Sequence, residues 1–213
     1  MICDVSLYLV HIDDVIYNTF SDLVNSDIVN VVKGQLLATY AKWGHFYRLE
    51  FDITVNALPN SSITRLNVFH FTMKDNDENY GDRVPAFWIN YGGYFDIRSA
   101  VSGDKDHTFN VMFEIGKKYN IVIRQFEDHD EKAKYEIEID KEVKHSVPNE
   151  QAWDFSNVNF YVSDPWHEAF SSKYGVLENF VFNQNGVYWN YQSFLESLIS
   201  RNAGRILLLY KYS

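Results

Sequence analysis

The sequence has little cysteine and little positive charge. Its 213 residues include one cysteine, Cys3, so the chain can form neither an intramolecular disulfide nor a cysteine-based zinc site. Lysine and arginine total 19 against 29 aspartate and glutamate residues, which gives a formal net charge of −10 at pH 7. No run of basic residues offsets this charge, and a nucleic-acid phosphate backbone would be repelled. The two shortages argue against a nucleic-acid-binding protein and against a disulfide scaffold.

Long apolar runs and the common enzyme signatures are also missing. The N-terminal stretch MICDVSLYLVHIDDVIYNTF has no basic start and is interrupted by His11, Asp13 and Asp14. It therefore predicts neither a clean signal peptide nor a transmembrane helix, which needs roughly 20 apolar residues. The histidines form no i, i+4 pair, and neither a glycine-rich phosphate loop nor a nucleophile elbow occurs. Aromatic residues, by contrast, make up 17% of the chain, which favours a packed β-rich protein.

Alternating apolar residues predict a series of antiparallel strands from Val31 onwards. In FYRLEFDITVNAL, for example, apolar and polar residues alternate without interruption from Tyr47 to Val55, which is typical of a half-buried strand. Turn residues such as PNSS and the pair Gly92–Gly93 separate such segments at intervals of about 10 to 15 residues. We therefore expect an all-β fold, a sandwich or jelly roll of two antiparallel sheets.

We place this β-sandwich domain at residues 31–183, between an N-terminal extension at 1–30 and a C-terminal extension at 184–213. In the C-terminal extension, the spacing of apolar residues over 194–199 predicts a helix, and RILLLYKY predicts a short apolar strand. An artefact of the gene model is the alternative explanation for this extension.

The segments WGHFYRLEFDITV, NVFHFT and YGDRVPAFWI, followed by YEIEIDKEVKHSV, NVNFYVSDPW and GVLENFVF, resemble the concanavalin A-like lectin/glucanase superfamily. The similarity is to laminin G-like and galectin-like modules of animal extracellular proteins, and it spans about Val31 to Phe182. It implies a concanavalin A-like jelly roll and an extracellular location, although the N-terminus leaves a cytoplasmic location open. His70 in HFT matches the galectin histidine, but no NPR motif follows it, and Trp88 lacks the downstream glutamate. Members of the superfamily bind glycans, bind proteins, hydrolyse glucans or serve as structural modules.

An acidic loop, KDNDENYGDR, is the first candidate site. Asp75, Asp77 and Asn79 occupy alternate positions, as the first ligands of an EF-hand loop do. Tyr80 then stands where an EF-hand needs glycine, and the position of its bidentate glutamate is alanine. A simpler calcium site at the rim of the sandwich stays open, with Asp75, Asp77 and Asn79 as candidate ligands and with Asp82 and backbone carbonyls as further ones. The alternative is an acidic hairpin tip that keeps the sheet soluble.

Aromatic residues around the Gly92–Gly93 turn form the second candidate site. The rings of Trp88, Tyr91 and Tyr94 could stack on the apolar faces of a sugar, with Asn90, Asp96 or Arg98 as polar neighbours. Asp82 and Arg83 of the preceding loop could contact the ligand as well. Two other interpretations are open. Trp88 could belong to the core, since tryptophan is mostly buried, and Asp82 and Arg83 could pair locally to fix the loop.

The segment EIDKE is the third candidate site. Glu138, Asp140 and Glu142 alternate, so an uninterrupted strand would point three carboxylates to one face, as the retaining glucanases of the superfamily do. Asp140 and Lys141 also have the pattern of a hairpin turn, which would destroy this common face. A solvated outer face is the simpler explanation of the alternation.

Together these patterns predict a non-catalytic, lectin-like binding module that recognises glycans or glycosylated surfaces, with calcium as a candidate cofactor. The expected partner is a glycan or glycoprotein, with no nucleic acid and no membrane span. A structural or adhesion module that binds another protein is the first alternative. A glucanase that uses the three EIDKE carboxylates is the second.

Overall fold

The structure, a computed structural model, describes residues 31–184 and two short strands beyond them, Val15–Tyr17 and Val187–Trp189. All the regular secondary structure in this part of the chain is β-strand. No helix among the described residues is long and apolar enough to cross a membrane. The helix predicted over 194–199 and the apolar strand RILLLYKY lie outside the described residues, as does Cys3.

The described part of the chain contains 14 strands. In chain order they are β1 Val15–Tyr17, β2 Leu36–Trp43, β3 Tyr47–Val55, β4 Arg65–Thr72, β5 Ala86–Asn90, β6 Tyr94–Val101, β7 Asp104–Met112, β8 Lys118–Glu127, β9 Ala133–Ile139, β10 Glu142–Pro148, β11 Phe155–Tyr161, β12 Glu168–Ala169, β13 Gly175–Gln184 and β14 Val187–Trp189.

These strands form two sheets, which confirms the predicted all-β sandwich. Sheet A has the order β1-β2-β11-β4-β5-β6-β7, with β12 paired to β4 beside that path. Sheet B has the order β10-β9-β8-β3-β13-β14. The pairs are antiparallel except for β12 with β4. β1 and β14 extend the sheets from the two predicted extensions, while the domain boundaries at 31 and 183 stay predictions.

The core lies between the inner faces of the two sheets and is dominated by aromatic rings. The apolar positions of β3 are buried and alternate with half-buried polar ones, as the sequence predicts. On the inner face of sheet A, Phe71 of β4 stacks on Phe160 of β11 with ring centroids 4.2 Å apart. Between the two sheets, Trp43 of β2 stacks on Phe182 of β13 at 5.0 Å. Such pairs stabilise a core beyond the burial of their area. The chemistry available to a ligand therefore lies on the outer faces and at the rims.

Candidate functional site

The outer face of sheet A carries the richest set of polar side chains near the predicted aromatic site. Phe87 and Ile89 of β5 belong to the core, so Trp88 and Asn90 point the other way. Strand pairing sets Arg65 of β4 opposite Asn90. It also sets Asn90 opposite Tyr94 of β6, and Tyr94 opposite Met112 of β7. Since directly paired residues point to the same face, one row of side chains crosses four strands here.

Trp88 lies beneath this row and is fully buried. The guanidinium carbons of three arginines lie 4.9, 5.0 and 5.9 Å from its ring centroid, and these are Arg65, Arg83 and Arg98 respectively. Cation–π attraction of this kind is worth about 2 kcal/mol or more when the cation is desolvated. The ring has no exposed face on which a sugar could stack. The prediction that Trp88 stacks on a ligand is therefore corrected. The ring is buried under the three arginine side chains and cannot contact a sugar.

A buried network of histidine and aspartate packs against Trp88, whose ring centroid lies 5.4 Å from those of His70 and His167. His70 and Asp164 are both fully buried, and His70 Nδ1 lies 2.9 Å from Asp164 Oδ2. His70 Nε2 lies 2.6 Å from the carbonyl oxygen of Asp82. Both ring nitrogens therefore face oxygen acceptors. Either His70 is doubly protonated or Asp164 carries the proton between them.

Asp164 also holds its own loop in place. It accepts hydrogen bonds from the backbone N–H groups of Trp166 and His167, at 3.0 and 2.8 Å, and its carboxylate lies 2.9 Å from His167 Nδ1. Burial raises the pKa of Asp164, but hydrogen bonds from His167 and His70 and their positive charge outweigh burial. The pKa of this carboxyl consequently lies well below its usual range. The loop that contains SDPW is thereby fixed against β4.

Asp82 anchors the acidic loop from within. Its side chain is fully buried and accepts hydrogen bonds from the backbone N–H groups of Asn79 and Asp75, at 2.7 and 3.3 Å. The side-chain amide of Asn79 donates a further bond at 3.1 Å. A carboxylate used in this way is not available at the rim. The predicted ligand contact of Asp82 is therefore replaced by a structural role.

Arg83 is the second anchor, and it too is fully buried. Its guanidinium donates to the carbonyl oxygen of Asn76 at 3.1 Å, to Asp77 at 3.1 Å and to the carboxylate of Asp106. Asp82 and Arg83 therefore fix the loop, which was the alternative to ligand contact. Their partners, however, are other residues of the loop and of β7 rather than each other. The predicted ligand contact of Arg83 has no exposed atom to act through.

The candidate calcium ligands are held by protein partners in this arrangement. The Asp77 carboxylate receives Arg83, the Asn79 amide donates to Asp82, and Asp75 lies 3.4 Å from Lys74 Nζ. Calcium takes 6 to 8 oxygen ligands at 2.3–2.6 Å. Among the residues that the structure describes, no three histidine, cysteine, aspartate or glutamate side chains form a group that could hold a metal ion. The loop as it stands does not fit calcium, and calcium binding remains a prediction.

Arg65 differs from the two other arginines around Trp88. Arg98 is fully engaged, because it donates two hydrogen bonds to Asp96, at 2.7 and 3.0 Å, and one to Asp106 at 2.6 Å. Arg65 Nη1 lies 3.6 Å from Asp96, and its guanidinium donates no hydrogen bond to the described part of the chain. Burial, followed by the charges of Arg98 and Arg83, lowers the pKa of Arg65. Its side chain is 20% exposed, so part of it is accessible from solvent.

The two tyrosines of the second candidate site remain accessible. Tyr91 is 49% exposed and Tyr94 is half-buried. They flank the turn between β5 and β6, where Gly93 adopts a φ of +79° that side chains rarely allow. Met112, opposite Tyr94, is 69% exposed. An apolar rim therefore lies beside Arg65, close to where the sequence predicts ligand stacking.

The EIDKE carboxylates of sheet B do not share a face. Asp140 and Lys141 have φ values of +53° and +67° and form the turn between β9 and β10. Glu138 lies 2.6 Å from Arg124, and Glu142 lies 2.6 Å from Lys144. The hairpin interrupts the two-residue period, so the predicted common face of Glu138, Asp140 and Glu142 is corrected.

One end of the sandwich has a small cleft that sequence reasoning missed. Its lining includes Trp43, Gln125, Asn149 and Trp153. Trp43 Nε1 is buried and donates to no group in the described part of the chain, and the cleft has room for about one water molecule. Trp153 is 53% exposed at the mouth of the cleft. The cleft is too small for a sugar ring, so it is a weaker candidate site than the surface around Arg65.

We predict a small, acid-sensitive contribution to stability from Asp154, beside this cleft. Burial raises its pKa, but hydrogen bonds from His45 and Lys42 outweigh burial and lower the pKa to about 2. The unfolded value is about 3.9. This stabilisation is therefore complete above pH 4 and is lost as the pH falls through about 2.

Since the Asp154 side chain is 39% exposed, Asp154→Asn should lower the free energy of unfolding at pH 7 by at most about 1 kcal/mol. Urea unfolding of both proteins at pH 7, 4 and 2 measures the difference between them. A difference that persists at pH 2 would contradict the assigned ion pairs.

Comparison with solved structures supports the jelly-roll fold. A mutant of HCR/D is 10% identical with a TM-score of 0.51, and the match covers 79% of this chain and 41% of that one. The receptor binding domain of botulinum neurotoxin D is 9% identical with a TM-score of 0.49, and the match covers 80% and 44%. A heptameric SAP-like pentraxin from Limulus polyphemus is 11% identical with a TM-score of 0.45, and the match covers 81% and 77%.

The strand order and the likeness to the HCR/D mutant define the class of the protein, a jelly-roll β-sandwich of two antiparallel sheets. A likeness at 10% sequence identity establishes the fold alone. The chain spans less than half the length of the first two matched structures. No protein-family model matches the sequence, and comparison with curated proteins gives no match. The finer resemblance to laminin G-like and galectin-like modules therefore stays a prediction.

Proposed function

We propose that this protein is a non-catalytic, lectin-like binding module that recognises glycans or glycosylated surfaces. The binding site is the outer face of sheet A at Arg65, Asn90, Tyr91 and Tyr94, which we call the Arg65 surface. One observation carries the proposal, namely that the partly buried guanidinium of Arg65 has no hydrogen-bond partner in the described chain.

A guanidinium without a hydrogen bond is costly at this position. Burial removes water from Arg65, and Arg98 and Arg83 add positive charge beside it, which the carboxylates of Asp96 and Asp106 offset only in part. The Asp96 carboxylate, 3.6 Å from Nη1, is beyond hydrogen-bond distance, so the planar fork of N–H donors has no hydrogen-bond acceptor in the described part of the chain. Sugar hydroxyl and ring oxygens are acceptors of suitable size and number. A bound glycan would restore hydrogen bonds that the free protein lacks, and bonds to a charged group contribute about 1.5–3 kcal/mol.

The neighbours of Arg65 suit the remaining faces of a sugar. Asn90 Oδ1 accepts the N–H of Gly92 at 2.9 Å, which leaves the amide NH₂ to donate to a ligand. Tyr91 and Tyr94 supply ring surface for the apolar C–H face of a sugar. Polar donors beside a small aromatic area give a shallow site rather than a deep pocket. The proposal requires no calcium ion, and it carries with it an extracellular location.

Fewer structural observations support the two alternatives, the adhesion module and the glucanase. A protein-binding adhesion module would use the exposed Met112 and Tyr91 as apolar anchors, and these lie at the same rim. A glucanase would need unpaired carboxylates at a short separation, whereas Glu138 and Glu142 are each paired with a basic residue. The adhesion alternative differs from the glycan proposal in its ligand and not in its location.

We predict that Arg65→Ala weakens glycan binding at least tenfold, since a tenfold change corresponds to about 1.4 kcal/mol. The matched control is Arg48→Ala, which removes an arginine from the outer face of sheet B, where it pairs with Glu50. Binding is measured by calorimetry against a panel of neutral and acidic oligosaccharides. Arg65→Ala also removes a cation–π contact with Trp88 and should lower the melting temperature. Binding is therefore measured well below the melting temperature of both variants.

Two results would contradict the proposal. One is that no oligosaccharide of the panel binds the unaltered protein at millimolar concentration, which would favour the adhesion alternative. The other is that Arg48→Ala and Arg65→Ala weaken binding equally, which would remove the assignment to sheet A.

A further inference from the structure

Two histidines meet where the edges of the two sheets come together. β7 is the last strand of sheet A and β10 the first strand of sheet B in the described strand order. His107 lies on β7 and His145 on β10, and their Nε2 atoms are 2.8 Å apart. The two rings have centroids 5.1 Å apart and an interplanar angle of 33°. This contact links the sheets on the side opposite β1 and β14.

The contact restricts the protonation of the pair. Two neutral imidazoles can share one proton between these nitrogens, whereas two imidazolium rings would repel each other. A neutral imidazole is the form that binds metal ions.

We infer that His107 and His145 form a two-histidine site for a divalent transition-metal ion. Metal–nitrogen bonds of about 2.0–2.1 Å at a right angle place two nitrogens about 2.9 Å apart. The observed separation of 2.8 Å matches that arrangement. Tetrahedral zinc would separate the nitrogens by about 3.3 Å, so the rings would have to move apart by about half an ångström. Nickel(II) and copper(II), which favour tetragonal sites, therefore fit better than zinc.

The surroundings of the pair hold both rings in position before an ion binds. Phe109 stacks on His145 with ring centroids 5.1 Å apart. Tyr135 meets both histidines edge-on at 6.2 Å. Both histidines are half-buried, so water can complete the coordination from outside. No third histidine, cysteine or carboxylate joins them within the described ranges, which makes this a site of modest affinity.

A bound ion would connect β7 to β10 and would stabilise the sandwich by mass action. The test is thermal unfolding of the whole chain, freed of metal by chelator, with increasing nickel(II). The melting temperature of the unaltered protein should rise by several degrees and return when chelator is added. The rise should vanish in His107→Gln and in His145→Gln and persist in His129→Asn, which removes an exposed histidine between β8 and β9.

Each variant is compared with itself with and without nickel, so a change in its basal stability does not affect the result. A second measurement uses the unaltered protein alone, where paramagnetic nickel(II) should broaden the NMR signals of His107 and His145 first and those of Phe109 and Tyr135 next. The inference is overturned if nickel causes no rise, if the rise survives in His145→Gln, or if the broadened signals lie elsewhere. Glycan binding at the Arg65 surface is independent of all these outcomes.

Discussion

Trp88→Ala should lower the free energy of unfolding by about 3–5 kcal/mol, the largest loss we expect from any single change near the site. The indole is fully buried, and its removal would leave a cavity under three guanidinium groups. Those cations would also lose the aromatic face that partly replaces their hydration. Urea unfolding at pH 7 measures the loss.

A smaller change at the same position, Trp88→Phe, provides a second comparison. Trp88→Phe should cost less, because it keeps an aromatic face and the indole N–H has no hydrogen-bond partner in the described chain. Trp153→Ala is the control, since this tryptophan is 53% exposed and should contribute less than about 1 kcal/mol. A loss below 1.5 kcal/mol for Trp88→Ala would mean that the loops do not cover Trp88 in solution.

Asp164→Ala should be nearly as damaging, at about 3–5 kcal/mol. The change would leave the buried His70 and two partly buried backbone N–H groups without an acceptor. Asp164→Asn should cost about 1–2 kcal/mol, because its amide oxygen can still accept the backbone bonds. Its NH₂ can also donate to Nδ1 of a neutral His70.

Urea unfolding at pH 7 of both Asp164 variants distinguishes these expectations. Asp130→Ala, in the exposed loop between β8 and β9, should change nothing measurable. Equal losses in Asp164→Ala and Asp164→Asn would contradict the idea that acceptor atoms, rather than the negative charge itself, hold this loop against β4.

Local patterns predicted the scaffold well. The alternation of apolar and polar residues from Tyr47 to Val55 predicts which side of β3 is buried. It arises because one face of the sheet packs on the core while the other faces water. The hairpin at Asp140 and Lys141 was one of two interpretations of EIDKE. It prevails because both residues adopt the positive φ that a tight two-residue turn needs.

The burial of the β5 side chains is not predictable from alternation alone. The sequence indicates that either Phe87 and Ile89 or Trp88 must face inward, yet all three side chains are fully buried. The acidic loop and the SDPW loop cover the outer face of sheet A at Trp88 through contacts that are distant in sequence, such as His70 with Asp164. A period-two pattern contains no information about a loop that folds back over a sheet.

Arg65 and the two histidines of the sheet edges escaped sequence reasoning for a related reason. Arg65 is the first residue of β4, and it lacks a hydrogen bond because both carboxylate oxygens of its nearest acidic neighbour, Asp96, accept from Arg98. His107 and His145 lie on strands of different sheets. Strand order and register decide both features, and neither can be read from spacing along the chain.

The central claim is that glycans bind the outer face of sheet A at Arg65. The most direct test is a two-dimensional NMR titration of the assigned protein with the tightest-binding oligosaccharide of the panel. We predict that the largest shifts occur at the Arg65 Nε–H, the Asn90 side-chain amide and the Tyr94 backbone amide. Signals of Arg48 and Asn120 on sheet B should stay in place. Shifts concentrated on sheet B, or around Trp153 at the end cleft, would contradict the claim.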